Sequence, residues 1–293
     1  MKAYPFWFGI SFFSVLLADP ACALRKSKPG WNAVLDWSAG QPFDTSEWTF
    51  EAGFLRNEEQ QYYAGQSNFS VSDAGIPLTA RKERVDNPDY RKGALNWRQA
   101  RAEAKYTSAS IVSKKARQNL RIEIVAAVQG GKGAWPAIWL RGANARGFGE
   151  VDLMEQLGRE PDLVHATVHF GSSFINRTAK TAERTIPGLQ GREVLYEAEL
   201  TPDLLALSVD GQPMLTMDRN TGSGRIQPLQ QPFNLVINLA LGSAWAGPVD
   251  EEALPATMTI KSLRISEWQG QQPVNKTAEK ARSGKNGAVI VAD

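Results

Sequence analysis

Residues 149–156 read GEVDLMEQ and place carboxyls at Glu150, Asp152 and Glu155 inside an apolar run. Side chains on a strand alternate between its faces, so 150 and 152 point one way and a regular strand turns 155 the other. One extra residue bulged out at Leu153 or Met154 resets the alternation and brings all three acids to one face. Three ionised carboxyls crowded together repel one another, so the cluster points to a reaction that uses it or a cation that neutralises it. Glycoside hydrolysis with retention suits it: one carboxylate attacks the anomeric carbon while a second carboxyl, roughly 5–5.5 Å away, protonates the leaving oxygen and later activates water. Ionised Glu150 and Asp152 are then expected to keep Glu155 protonated by like-charge repulsion. Calcium is the competing reading, but calcium prefers oxygen ligands from a flexible loop, and this segment is an apolar strand.

Neighbouring segments supply partners for such a site. In GGKGAWPAIWLRG (130–142), Trp135, Ala137 and Trp139 share a strand face, provided Pro136 sits at an edge or a strand entrance, and indole faces stack on sugar rings. VHATVHFG (164–171) puts His165 and His169 on one face. Four residues apart on a helix they could ligate a metal together, but β-branched and aromatic neighbours argue for a strand, so no metal is assigned to them. GSAWAG (242–247) offers Trp245 after a flexible Gly242.

The elements that must carry these groups read as all-β. RIEIVAAV (121–128), EVDLMEQL (150–157), VHATVHF (164–170), LYEAEL (195–200), FNLVINLAL (233–241) and TMTIKSLRISEW (257–268) have strand composition and are punctuated by Gly, Pro, Asn and Asp. LLALSV and QPMLTM flank Asp210-Gly211, a pair suited to a two-residue hairpin turn. Many short strands over some 240 residues predict two packed antiparallel sheets.

Of 293 residues, 42% are hydrophobic and 9% aromatic, enough for a large core, and the formal net charge of +2 gives no footprint for nucleic acid or a membrane surface. Residues 1–23 combine a basic Lys2, an apolar run too short to span a bilayer and small residues at Ala21 and Ala23, which predicts a secretory signal peptide and an exported protein, periplasmic or extracellular. Cys22 is the sole cysteine and leaves with the signal, so stability must come from the core. Residues 24–268 then form the folded domain, with 24–35 as a flexible lead-in and the polar 269–293 as a flexible tail.

Seven collinear stretches resemble glycoside hydrolase family 16 in its laminarinase (endo-β-1,3-glucanase) form. GEVDLMEQLG is similar to the family's bulged E-x-D-x-x-E signature, NEEQQYY (57–63) to N-N-E-x-Q-x-Y, and KYTSASI (105–111) to Y-T-S-x-R-I. GKGAWPAIWLRG, VHATVHFG, LTPDLLALSVDG and INLALGSAWAGPVD match further motifs in the same order. The resemblance implies a β-jelly-roll sandwich with an open concave cleft. It implies Glu150 as nucleophile, Asp152 as its helper and Glu155 as acid/base, with Asn57, Trp135, Trp139, His169 and Trp245 as substrate-lining residues. It also implies a β-glucan as polysaccharide partner, no obligatory cofactor and a structural calcium in many relatives, whose ligands cannot be assigned here; a monomer without membrane insertion is expected. Glu58 replaces a second Asn, Ser110 an Arg that faces the sugar, Leu200, Leu207 and Ser208 aromatic residues, and Ser243 a glycine. Mixed-linkage glucan or galactan as substrate, transglycosylation, and a non-catalytic glucan-binding module are the alternatives; a sulfated galactan wants a basic cleft, for which balanced overall charge gives no support.

Overall fold

The computed structural model describes residues 28–143, 147–222 and 227–270. The segment read as a signal peptide, 1–23, and residues 271–293 of the expected tail, 269–293, lie outside the described residues. Among the described residues seventeen strands, numbered in chain order, make two sheets. The ten-stranded sheet contains β1 (Trp31–Ser38), β3 (Ala52–Gly53), β4 (Gln61–Ala64), β5 (Ile76–Asp86), β6 (Glu103–Ser108), β8 (Leu120–Gln129), β13 (Val194–Leu200), β14 (Leu204–Val209), β15 (Gln212–Asp218) and β17 (Ala256–Trp268). The seven-stranded sheet runs in the order β12 (Arg177–Thr185), β11 (Leu163–Gly171), β10 (Phe148–Gln156), β9 (Ala134–Gly142), β16 (Phe233–Leu241), β7 (Ser110–Ser113) and β2 (Trp48–Phe50). All pairings are antiparallel except β4 with β6. This is the two-sheet sandwich the strand pattern predicts.

Alternation builds the core. Ile122, Ile124, Ala126 and Val128 of β8 and Tyr196, Ala198 and Leu200 of β13 point inward from one sheet. They meet Ile138 and Leu140 of β9, Val151 of β10 and Val164, Ala166 and Val168 of β11 from the other. Leu200 and Leu207, two of the departures from the family pattern, are buried in this core on the sheet away from the acids. The Asp210-Gly211 turn joins β14 to β15 with both residues at positive φ, 49° and 70°, as a two-residue hairpin demands.

One expectation is corrected and one alternative decided. The lead-in is not loose up to residue 35: Trp31 opens β1, pairs with Trp268 of β17 and packs edge-to-face on it with ring centroids 4.9 Å apart. Of the two places expected for Pro136, an edge is excluded because β9 is flanked by β10 and β16, and a strand entrance holds on the β10 side. Its missing N–H is tolerated because Leu239, opposite it on β16, donates away from β9 to Ala109, so the Pro136 nitrogen faces β10 just where that ladder ends at Ala137↔Glu155. Among the described residues no helix is long and apolar enough to cross a membrane.

Candidate active site

The bulge is present. Asp152 faces Thr167 on β11 and Glu155 faces His165, so three steps on β10 match two on β11. On the other flank Asp152 faces Trp139 and Met154 faces Ile138, which puts the extra residue at 153–154. Leu153 and Met154 both turn into the core, at 1% and 0% exposure, and Glu150, Asp152 and Glu155 all turn outward to line one cleft of about 830 Å³. Two adjacent apolar residues can face inward only if the backbone kinks between strand steps, and this run of sequence demands it.

Register organises the cleft floor into rows. Glu150 lies between His169 and Arg141, Asp152 between Thr167 and Trp139, and Glu155 between His165 and Ala137. His169 Nε2 is 3.9 Å from Glu150 Oε1 and 3.5 Å from Asp152 Oδ2, so it addresses both acids. Trp135 donates its indole N–H to Glu155 Oε1 at 3.1 Å and meets Trp245 edge-to-face with centroids 4.9 Å apart. Trp245 stands on a single helical turn, Ser243–Ala246, and its ring also meets His165. The turn begins at Gly242, φ 75°, where a Cβ would collide with the Gln60 side chain.

Behind the floor lies a buried chain of hydrogen bonds. Trp139 donates to Asn238 Oδ1 at 2.8 Å, Asn238 Nδ2 donates to the Tyr63 hydroxyl at 3.1 Å, and Tyr63 donates to Glu59 Oε2 at 3.0 Å. Gln61 donates to the same oxygen of Glu59 at 2.7 Å and accepts from the Leu241 N–H at 2.7 Å. The stretch at 57–63 therefore works mostly as scaffold, fixing the rotamer of Trp139 and the loop under Trp245. Asn57 itself is exposed and lines the cleft, as do Trp135, Trp139, His169 and Trp245.

Burial dominates the electrostatics. Desolvation pushes the Glu155 carboxyl up to about 7; the Trp135 hydrogen bond opposes that, and the charge of Glu150 adds to it. Asp152 is raised well above the usual carboxylate range by burial first and then by the two flanking glutamates. Glu150 is raised by burial, while Arg177, Arg56 and Arg141 pull it back down. Repulsion from an ionised Asp152 is thus not what holds the Glu155 proton: the apolar setting does most of it, and Asp152 is itself favoured in the neutral form. His169 is lowered by burial and by Arg177, which favours its neutral form.

Sequence reasoning missed the arginines. Arg56 lines the cleft, donates to Glu51 Oε2 at 2.7 Å and to Ser110 Oγ at 3.2 Å, and lies over the Trp139 ring with its guanidinium 5.5 Å from the centroid. The short hydroxyl of Ser110 leaves room for it, so a guanidinium reaches the cleft from the turn before β4 although residue 110 is not an arginine. The signal available in the sequence was the small residue at 110 together with an arginine beside Asn57. Arg141, at the end of the matched stretch 131–142, and Phe148, Phe174 and Arg177, outside every matched stretch, also line the cleft.

As for metals, one ligand atom each from Glu150, Asp152 and His169 lie within 4.8 Å of one another. That set pairs an imidazole with two acids of the catalytic signature, a poor match for a structural calcium, which takes oxygen ligands. The two histidines cannot share an ion, since four strand steps separate them by ~13 Å.

Paired glutamates flank a buried aspartate above indole walls in an open cleft, an arrangement with the groups that glycoside cleavage needs. The profile of Glycosyl hydrolases family 16 matches residues 56–261, and the chain belongs to that family. It is 30% identical over 257 residues to the beta-glucanase of Rhodothermus marinus, covering 81% of this chain and 84% of that one. The laminarinase catalytic domain from Thermotoga maritima superposes with a TM-score of 0.68 at 26% identity, over 81% of this chain and 98% of that one. A structure from work on endo-acting O-glycanases, expressed by members of the human gut microbiota to initiate mucin breakdown, superposes with a TM-score of 0.77 at 28% identity, over 86% and 94% of the two chains. The protein is a glycosidase that hydrolyses O-glycosyl bonds.

Proposed function

We propose that this chain is an exported, endo-acting β-glucan hydrolase that retains anomeric configuration, with β-1,3-glucan as its first substrate. The observation that carries the reading is the bulged strand, which sets Glu150 and Glu155 on one cleft face with Glu155 favoured as the proton donor and Glu150 surrounded by cations. Names of related enzymes support the glucan, and the open cleft supports internal cleavage.

The chemistry follows from the atoms present. Glu155 gives its proton to the glycosidic oxygen as a Glu150 oxygen attacks the anomeric carbon; the bond to the departing sugar breaks and a glycosyl ester on Glu150 forms. Glu155, now ionised, takes a proton from water, whose oxygen attacks the same carbon and releases the Glu150 carboxylate. Neutral Asp152 serves as a hydrogen-bond donor among the acids, with His169 fixing its side chain. Trp135, Trp139 and Trp245 offer stacking surfaces, and Asn57 a polar contact at the rim.

Glu150→Gln is expected to abolish turnover on laminarin while leaving the folded state intact, and Glu150→Ala with added azide should release a glycosyl azide of inverted configuration. Proton NMR of the first product from the unaltered enzyme should show the β-anomer. Wild-type turnover by Glu150→Gln, or an α-anomer as first product, would overturn the assignment. Binding without any new reducing ends, even at long incubation, would instead indicate a glucan-binding module.

A further inference from the structure

Three guanidinium groups gather around Glu150 at one end of the cleft. Arg141 faces it across the β9–β10 ladder, and Arg177 opens β12 opposite Gly171, whose other neighbour is Phe148. Arg56 completes the corner from the turn before β4. Apart from Glu150, Glu51 is the carboxylate hydrogen-bonded to them: it accepts from Arg56 at 2.7 Å, from Arg141 at 3.3 Å and from the Ser110 hydroxyl at 2.6 Å, while buried Glu59 acts on Arg56 from further off. Arg177 makes no ion pair with a carboxylate among the described residues. Its guanidinium donates to the Phe174 carbonyl oxygen and lies 3.9 Å from the Phe174 ring centroid and 5.5 Å from that of Phe148. The opposite end of the cleft has the reverse balance, with Glu183 Oε1 3.2 Å and Glu160 Oε2 3.8 Å from His165.

The charge count is uneven. Three cations face Glu51, Glu150 and, beside Arg56, the buried Glu59, and once Glu150 is esterified in the covalent intermediate the negative charge passes to Glu155, on which none of the three arginines acts. A neutral sugar leaves that surplus uncompensated while the ester persists. An exposed planar guanidinium stacked on one ring of an edge-to-face aromatic pair is preorganised for a bidentate oxyanion. Arg141, whose side chain is 44% exposed, can contribute a second fork from β9, on the other flank of the strand that carries Glu150.

We propose that the corner formed by Arg56, Arg141 and Arg177 binds an oxyanion carried by the saccharide, a sulfate ester or a carboxylate, on a sugar seated beside Glu150. This deepens the proposed function: it rests on Glu150 and Glu155 as the reacting pair, but not on the glucan being unsubstituted.

The test uses the full chain and three forms of one β-1,3-gluco-oligosaccharide: neutral, sulfated, and oxidised to carry uronate carboxylates. The expected result is a kcat/KM at least tenfold higher on the sulfated or the oxidised form than on the neutral one, with the preferred arm identifying the anion. That ratio should fall tenfold or more in Arg177→Gln and shrink as salt rises from about 50 mM to about 500 mM. Equal or lower kcat/KM on both anionic forms, with a ratio that Arg177→Gln and Arg141→Gln leave unmoved, would overturn the proposal. If none of the three is cleaved, the glucan reading fails separately, and calorimetry on Glu155→Gln decides the anion site. Tighter binding of an anionic form, lost on adding Arg177→Gln, supports it, and equal binding of all three forms overturns it.

Discussion

Glu155 owes its proton affinity chiefly to burial, and the Trp135 indole N–H works against that by stabilising the ionised form. A general acid must be protonated in the first step, so kcat/KM should fall as pH rises through about 7. Trp135→Phe removes the donor that favours the anion, so the alkaline limb should move to higher pH; a limb that stays or moves down would show that the hydrogen bond does not tune the acid. Backbone conformation gives a second residue-scale expectation. Glu58 and Ser243 sit at φ 53° and 89°, in the left-handed region that disfavours a side chain, at positions where the family pattern has Asn and Gly. Glu58→Asn and Ser243→Gly should each raise stability by roughly 0.5–1 kcal/mol, read from thermal or denaturant unfolding. At this scale the three acids were legible because their spacing breaks the strand period. The cause of the Glu155 shift was not, since repulsion can be imagined from spacing alone while desolvation depends on what the fold packs around the group. Nor was the arginine corner, which draws on segments around 56, 141 and 177 that share no motif.

The bulge in β10 adds a core residue without moving the site. Glu155 faces His165 and Ala137 as it does because 153 and 154 together occupy one strand step, so a chain lacking Met154 can keep the same register and the same outward face for all three acids. Deleting Met154 should therefore leave measurable glucan cleavage with the melting temperature lowered, at a cost of about 2–5 kcal/mol for the lost core side chain. A deleted form that folds yet has lost all cleavage would show that the kink itself sets the catalytic geometry. Strands with clear alternation, such as 121–128, 164–170 and 233–241, could be read directly from the sequence. β12 could not: RTAKTAERT is exposed along nearly its whole length at the sheet edge, so it has no apolar face to announce it. Pro136 could be placed only as far as an edge or an entrance, because the rule that keeps proline out of ladders concerns the direction of one N–H, and that direction depends on which neighbour ends its ladder first.

Both sheets contribute to one continuous core, with β8, β13, β14 and β17 on one side and β9, β10, β11 and β16 on the other. Calorimetry of the folded domain should show a single unfolding transition, shifted upward by a bound oligosaccharide; two separable transitions would mean the sheets are not one cooperative unit. Overall charge misled at this scale: a formal value of +2 describes a sum, while the cleft segregates arginines at one end and glutamates around His165 at the other. The guanidinium of Arg56 comes from a surface turn and not from the sheet that bears the acids. Descendants of this chain could thus be retargeted to a different sugar decoration by rewriting that turn, while the hydrolytic apparatus beneath it is inherited unchanged.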